Sequence, residues 1–406
     1  MNPTKIIYTI RWARENFTLL CKQYKLICSK FNERLIKMDT ANNKIAILDD
    51  FFPNLTTGFR VAEFNYYLEK FQNCEVYVHR YDDHHPQYAA VYPQFKDKVK
   101  SFLQFDWTGK SYGLFYTVFL SNAAQFYFAY ELANTPFIFE LYPGGGFWFN
   151  DDEVDTMLIK VFSNPLFRKV IVTQKIIYDY IINRGFVTPD KVSYIYGMVT
   201  YPEYFHQTVR KQFFGKDKNT FDVCFVAHKY MPLGIDKGFM IFIDAYKKLL
   251  RAADNIRFHV VGNFEENEVD VSGVGSRIFF HGLKDKSFFP GFFSKMDIIV
   301  SPNRPFILIP GKNIDGFPTG CCIDAALHNV AVFCTDELNM NEHFRHKKDI
   351  FIINPDAEEV AKTILKYYNN PAGLYRMSAR GQEKFREIFD FDKQMKARAS
   401  VIEQLM

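Results

Sequence analysis

The segment from 310 to 337 is the feature that most constrains the fold of this chain. It reads P-G-K-N-I-D-G-F-P-T-G-C-C-I-D-A-A-L-H-N-V-A-V-F-C-T-D-E. A loop rich in Gly and Pro carries Asp315, a run of small residues over 320–327 carries Asp324, and a β-branched apolar run covers 330–335. This order predicts a loop, a helix and a buried strand. Because a helix that starts behind such a loop presents unpaired N–H groups and the positive end of its dipole, we expect a phosphate-containing ligand, such as a nucleotide, here.

Size and composition indicate a soluble protein with two domains. A chain of 406 residues exceeds what one hydrophobic core usually organises, so two domains of roughly 200 residues are expected. Hydrophobic residues make up 48% and charged residues 24%, which is typical of globular proteins. The formal net charge of +4 is small for this length and does not indicate nucleic-acid binding.

Cysteine usage and the absence of apolar segments predict a cytoplasmic location. The seven Cys form no CxxC pair and no Cys/His pattern with zinc spacing, and their number is odd, so we expect reduced thiols and no metal site. The N-terminus lacks the apolar core of a signal peptide, and no apolar run reaches the roughly 18 residues of a membrane span.

A helical extension is predicted over 1–43. Apolar residues between Arg11 and Lys37 recur at helical spacing, and the basic residues fall largely off that stripe. One interpretation is a helix packed on the body of the protein with a solvated basic face. The other is a helix lying on an anionic membrane surface.

The first α/β series starts with a strand over 44–48, followed by a loop and a helix over 61–71. This is the first unit of a doubly wound sheet, whose ligand crevice lies at the carboxyl ends of the strands. Gly58 and Arg60 in that loop are therefore placed where a ligand approaches the backbone, although Gly58 could simply make the turn.

Further strands are predicted over 75–78, 136–141 and 169–173, with a long aromatic helix over most of 107–134. The glycine-rich segment after 136–141 suggests that three features line a crevice: Glu140, Tyr142 and Gly144 to Gly146. Glu140 is a candidate functional residue because a carboxylate inside an apolar strand is costly to bury unpaired.

His84 and His85, beside Asp82 and Asp83, form a polar cluster. A metal or acid–base site is one interpretation, and a solvated loop is the favoured one.

A second α/β series begins at Asp222. It contains predicted strands over 222–226, 256–261 and 277–281, and others ending at Ser301, Thr335 and Ile353, with a helix over 239–250 and helices after Ala357. The fold class is therefore α/β with two doubly wound, Rossmann-like domains facing a cleft. The predicted divisions are an extension over 1–43, a first domain over 44–200, a linker over 201–220, a second domain over 221–385, and a C-terminal helix over 386–406 that returns to the first domain.

Five motifs of the second half, in order over 222–345, resemble those of retaining GT-B glycosyltransferases that use an E-G-F-P/E-A donor motif. D-G-F-P-T-G-C-C-I-D-A-A-L-H-N-V-A-V-F-C-T-D is similar to E-G-F-P-x-x-x-x-E-A-x-A-x-G-x-P-V-V-x-T, and F-V-A-H-K-Y-M-P-L-G-I-D-K-G to F-V-G-R-x-x-x-x-K-G. Three further motifs of the family are matched by V-V-G, F-H-G-L and M-D-I-I-V-S-P-N. In the first half, V-I-V-T-Q-K and V-S-Y-I-Y-G-M-V are similar to the segments that close the acceptor domain.

The resemblance implies transfer of a sugar from a nucleoside diphosphate sugar to a hydroxyl of a glycan or glycolipid, with retention of configuration, in bacterial capsule or lipopolysaccharide synthesis. It implies no cofactor and no metal, and contact with the cytoplasmic face of the inner membrane is a further expectation. The implied catalytic residues are Asp315 and Lys237, with Glu140 where the family has a histidine. The implied donor-binding residues are Lys229, His228, Gly58, Gly316, Phe317, Pro318, Thr319, Gly320, Asp324, Gly282 and Asn303.

The chain departs from the family pattern at identifiable positions. Asp replaces Glu at both acidic positions, and Asp324 lies one residue further from Asp315 than in the family, which leaves its role toward the ribose open. Either His228 or Lys229 occupies the position of the arginine in the family motif F-V-G-R-x-x-x-x-K-G.

Three other functions are compatible with parts of this pattern. A nucleotide-sugar epimerase of the same fold would interconvert sugars without an acceptor. A non-catalytic nucleotide-sugar-binding partner would bind without turnover. A dehydrogenase is disfavoured because 44–71 lacks G-x-G-x-x-G and the acidic residue about 20 positions later.

Overall fold

The computed structural model describes residues 44–107, 112–206, 209–269 and 277–406. The helical extension predicted for 1–43 lies outside the described residues.

The first domain is built on a parallel sheet that is buried on both faces. Its described strands are β1 Lys44–Asp49, β2 Cys74–Val78, β3 Val99–Ser101, β4 Tyr112–Val118, β5 Phe137–Leu141, β6 Phe167–Val172 and β7 Val192–Tyr194. They pair in the order β3-β2-β1-β4-β5-β6-β7. Since helices cover both faces of such a sheet, its strands are near-continuous apolar runs, as in the central strand β5.

Helices of the first domain connect these parallel strands. They are α1 Phe59–Lys70, α2 Tyr81–Val91, α3 Leu120–Gln125, α4 Tyr127–Ala133, α5 Asp152–Phe162 and α6 Lys175–Asn183. Short 3₁₀ helices of the described chain cover Leu55–Thr57, Pro93–Phe95, Phe102–Gln104, Pro189–Lys191, Pro202–Phe205, Pro232–Lys237 and Glu266–Glu268.

The second domain repeats the doubly wound arrangement. Its described strands are β8 Phe221–Val226, β9 Ile256–Val261, β10 Ile278–Phe280, β11 Ile298–Ser301, β12 Ala331–Cys334 and β13 Phe351–Ile352, in the order β10-β9-β8-β11-β12-β13. Its helices are α7 Phe239–Leu249, α8 Phe288–Phe293, α9 Gly320–Leu327, α10 Ala357–Tyr368 and α11 Pro371–Phe389. Two doubly wound, Rossmann-like domains were predicted, and this fold class is confirmed.

Two local predictions in the first domain are wrong. The aromatic segment over 107–134 contains β4, a central strand between β1 and β5, where one long helix was expected. Because β4 is buried on both faces, it lacks the alternation of a half-buried strand, and aromatic residues are frequent in strands. His84 and His85 lie on the helix α2, whose first turn holds the two aspartates, rather than in a loop.

The described residues contain no group of three His, Cys, Asp or Glu side chains arranged to hold a metal ion. Among the same residues, no helix combines the length and apolar character that crossing a membrane requires.

The last described helix, α12 Phe391–Glu403, packs against the first domain. Arg398 of α12 is fully buried, and its Nη2 lies 2.8 Å from Oε1 of Glu140, at the carboxyl end of β5. The ring of Phe391 contacts that of Tyr66 on α1. The chain therefore crosses from the first domain to the second and back, and the domain limits given above stay a proposal.

We predict that Arg398→Met destabilises the protein by about 3–5 kcal/mol, because it leaves the Glu140 carboxylate buried without its counter-charge. The matched control is Lys70→Met. It removes the ion pair between Lys70 of α1 and Glu403 of α12, which is more exposed than the Arg398–Glu140 pair. Its effect should stay within about 1 kcal/mol. Urea unfolding measures both, and equal losses would contradict this account of the Arg398–Glu140 pair.

Candidate active site

A cavity of about 310 Å³ lies between the two domains. Its floor is formed by residues that follow neighbouring strands of the second sheet, namely His228 after β8, Gly262 after β9, Leu283 after β10 and Asn303 after β11. Because the chain order of this sheet reverses between β8 and β11, the cavity lies at its topological switch point, where ligands of doubly wound folds bind. The first domain contributes Leu55, Thr56 and Gly58, and the start of the predicted linker contributes Tyr201 and Tyr204.

Lys237 and Asp315 form the central charged pair of this cavity. The ammonium of Lys237 lies 2.7 Å from both carboxylate oxygens of Asp315. Lys237 is 7% exposed, whereas over a third of the Asp315 side chain is exposed. Burial lowers the pKa of Lys237, but the charge and hydrogen bonds of Asp315 outweigh it, so this pKa is raised above its usual value. The ammonium is therefore held charged in a largely desolvated position.

Strand β11 fixes the carboxylate from the other side. The hydroxyl of Ser301, its last residue, donates to Oδ1 of Asn303 at 2.7 Å, and Nδ2 of Asn303 donates to Asp315 at 2.6 Å. Gly238 allows Lys237 to approach this strand end, since its φ is +68° and a Cβ there would lie 2.1 Å from the carbonyl oxygen of Pro302. The K-G and E-G-F-P-like motifs thus meet, although 78 positions separate Lys237 from Asp315.

Asp324 lies on α9 and lines the same cavity. The hydroxyl of Thr200 in the first domain donates to its Oδ1 at 2.6 Å. Burial raises the pKa of Asp324 to about 7. The extra residue between Asp315 and Asp324 therefore does not carry this side chain away from the cavity.

The start of α9 supplies backbone donors. Gly320 and Cys321 line the cavity, and the first N–H groups of a helix have no intrahelical acceptor. The prediction needs correction for Phe317 and Pro318, because the Phe317 N–H donates to Oε1 of Gln174 and proline has no N–H. Gly316 lines a separate small cavity of about 40 Å³ beside Asp315.

Of the two alternatives for the family's arginine, His228 lines the cavity. The ammonium of Lys229 instead bonds Glu268, and Lys229 is not among the lining residues. Burial and the charge of Lys237 lower the pKa of His228, so it can act as a neutral hydrogen-bonding group.

The other predicted residues divide between the cavity and its surroundings. Gly58, Asn303, Thr319 and Gly320 line it. Gly282 does not, because its carbonyl accepts from the Gly262 N–H at 3.0 Å while the next residue, Leu283, faces the cavity.

Apart from Gly58, the predicted crevice residues of the first domain lie elsewhere. Glu140 is fully buried between Arg398 and Tyr116, whose hydroxyl donates to it at 2.8 Å, so we withdraw it as a catalytic candidate. Tyr142 is also buried against Arg398, and Gly144 to Gly146 do not line this cavity. Arg60 pairs with Asp49 at 2.7 Å.

Several residues at the site were not found from the sequence. The ring of Tyr230 lies 5.1 Å from the ammonium of Lys237. Tyr230 and Gln174 lie within quoted motifs, but neither was singled out, and Tyr201, Tyr204 and Thr200 come from a segment without a recognisable motif. With 24 Tyr in the chain, no single tyrosine is marked by composition or spacing.

We predict that Asp324→Asn stabilises the protein more at about pH 8 than at about pH 5. Since the folded pKa of Asp324 is raised to about 7 from an ordinary value of 3.8, the folded state binds more protons than the unfolded state in that window. Wild-type stability therefore falls as pH rises through it, by roughly 1.4 kcal/mol for each unit between the two pKa values. An asparagine does not titrate, yet its oxygen still accepts from Thr200.

Thermal unfolding at the two pH values measures this difference. Asp285→Asn is the control, because hydrogen bonds from Ser287 lower the pKa of Asp285 and no such gain is expected. The prediction is wrong if the Asp324→Asn variant gains equally at both pH values.

Comparison with known proteins agrees with this geometry. Residues 221–370 match the family model described as Glycosyl transferases group 1. HepE of Anabaena in complex with UDP and glucose has a TM-score of 0.67 at 16% identity, over 89% of this chain and 100% of that chain. A glycosyltransferase from Rickettsia africae gives 0.65 at 11% identity, over 90% and 99%. Sucrose-phosphate synthase from Thermosynechococcus elongatus gives 0.59 at 13% identity, over 89% and 99%.

A search of curated protein sequences finds no match to this chain. The structural similarities cover both domains and establish the fold, while the family model covers the second domain, which holds Lys237, Asn303, Asp315 and Asp324. The chain therefore has the two-domain GT-B glycosyltransferase fold, and its second domain matches the group 1 glycosyl transferases.

Proposed function

We propose that this protein is a retaining glycosyltransferase that moves a sugar from a nucleoside diphosphate sugar to a hydroxyl of a glycan or glycolipid. The observation that carries the proposal is the Lys237–Asp315–Asn303 cluster, held at the interdomain cavity beside the first turn of α9. HepE, which shares the fold, forms complexes with UDP and with UDP-glucose, and this supports a nucleotide sugar as donor.

Departure of the diphosphate is the step that this cluster assists. Negative charge grows on the leaving phosphates, and the ammonium of Lys237 together with the N–H groups at the start of α9 stabilises it there. These groups perform the neutralisation for which other transferases use a divalent ion, so we propose a reaction that needs no metal and no cofactor. Asp324 accepts hydrogen bonds from the ribose hydroxyls.

Retention is proposed from the family resemblance, and the distribution of carboxylates bears on how it is achieved. Asp315 stabilises positive charge near the anomeric carbon from the side of the second domain. The described lining residues outside the second domain are Leu55, Thr56, Gly58, Tyr201 and Tyr204, and none of these carries a carboxylate that could serve as the nucleophile of a double displacement. We therefore propose same-face attack by the acceptor hydroxyl, whose proton passes to the leaving phosphate oxygen.

The acceptor that we propose belongs to a bacterial surface polysaccharide such as capsule or lipopolysaccharide. Its synthesis at the cytoplasmic face of the membrane would give the basic helix predicted over 11–37 an anionic surface to contact. This part rests on the family resemblance.

A binding assay followed by a turnover assay tests the proposal. A panel of UDP-, GDP-, CMP- and dTDP-sugars is measured by thermal shift and calorimetry, and a cognate donor at 100 times its Kd should stabilise the protein by about 2.7 kcal/mol. Turnover with glycan acceptors is then followed by release of the nucleotide, and NMR determines the anomeric configuration of the product. Interconversion of sugars without an acceptor indicates the epimerase, and binding without turnover on any acceptor indicates a non-catalytic partner.

We predict that Lys237→Ala and Asp315→Ala each lower kcat by about 10²–10³-fold, the range seen when a group that stabilises developing charge is removed. Lys248→Ala is the matched control, because Lys248 lies on the adjacent helix α7 and its ammonium pairs with Glu358, at the surface. The control should keep wild-type kcat. Wild-type rates in both cavity variants would remove the proposed site.

A further inference from the structure

Two side chains of the first domain hold a single residue of the donor motif. Oε1 of Gln174 accepts from the Phe317 N–H at 3.3 Å, and its Nε2 donates to the Phe317 carbonyl oxygen at 3.4 Å. The hydroxyl of Tyr196 donates to the same oxygen at 2.9 Å. These bonds span 143 and 121 sequence positions, and both polar groups of the Phe317 backbone are occupied by them.

The contact is buried and closely packed. Gln174, Tyr196 and Phe317 are 4%, 8% and 5% exposed, so little water is present to replace a lost hydrogen bond. A Cβ added to Gly316 would lie 3.4 Å from Nε2 of Gln174, and one added to Gly320 would lie 3.0 Å from the sulfur of Met198. The first domain therefore rests directly on the backbone between Asp315 and α9.

The two ends of this backbone are held by different domains. Asp315 is fixed by Lys237 and Asn303 of the second domain, whereas Phe317, two residues later, is fixed by Gln174 and Tyr196 of the first. Separation of the two domains would break the hydrogen bonds to Phe317 and leave those to Asp315.

Resting on the transferase function proposed above, we propose that Gln174 and Tyr196 are positioning residues. By forming hydrogen bonds with the backbone of Phe317, they hold the carboxylate of Asp315 and the first turn of α9 in the geometry that the donor requires. Domain closure and the shape of the donor site are thereby coupled through one peptide unit. Neither side chain has to touch the donor.

Tyr194 provides a matched comparison from the same strand end. Its hydroxyl donates to Glu342 of the second domain, so it also makes a hydrogen bond between domains, but away from the donor motif. If any bond across the domain boundary served equally, removing the hydroxyl of Tyr194 or that of Tyr196 would have the same effect.

The test compares Tyr196→Phe and Gln174→Leu with Tyr194→Phe. One hydrogen bond of this kind corresponds to about 3–10-fold in binding, so Tyr196→Phe should raise the donor KM and the calorimetric Kd of the donor by about that factor. Gln174→Leu, which loses two bonds, should exceed it. The KM for the acceptor and the thermal midpoint of Tyr196→Phe should stay near wild type, and Tyr194→Phe should match wild type throughout.

Two results would overturn the proposal. One is wild-type donor KM and Kd in Tyr196→Phe while the wild-type enzyme binds and turns over its donor, which leaves the transferase function intact. The other is an equal rise in Tyr194→Phe. A wild-type protein that binds no nucleotide sugar would instead remove the transferase function itself, and this inference with it. Since Gln174→Leu alters a buried amide and could fold poorly, Tyr196→Phe, which loses one oxygen atom, decides.

Discussion

The organisation of the cleft depends on one interaction, the ion pair between the desolvated ammonium of Lys237 and the carboxylate of Asp315. Burying a lysine is costly unless an opposite charge is supplied, and here that charge comes from a loop 78 positions later. The pair joins the segment after β8 to the segment before α9, on either side of the switch point of the second sheet. Its geometry is therefore set by the order of the strands.

The second domain was largely predictable because its signals are local. Each predicted strand of that domain has a counterpart, and the motifs around Lys237 and Asp315 follow from short-range patterns of glycine, apolar residues and charge. The first domain was less predictable. Strand β4 has aromatic residues on both faces, so its sequence does not alternate between apolar and polar residues, and a helix was predicted there.

The partner of the buried Glu140 carboxylate could not be predicted from the sequence. A carboxylate inside an apolar strand correctly signalled that something must compensate its burial, but the sequence did not indicate what. The compensating group is Arg398, 258 positions away on the last helix, and Tyr116 completes the arrangement. The same limit applies to Gln174 and Tyr196, whose meaning depends on a partner in the other domain. Contacts between domains have no periodicity in the sequence, because they depend on how the two domains are placed in three dimensions.

The return of α12 to the first domain has a mechanical consequence. In the part of the chain that the structure describes, the two lobes are joined by two chain crossings, one within the predicted linker over 201–220 and the other at Asp390, between α11 and α12. Two tethers permit rotation about the line that connects them while resisting sliding and twist. Opening of the cleft should therefore follow a single hinge axis, and motion about that axis would separate Phe317 from Gln174 and Tyr196.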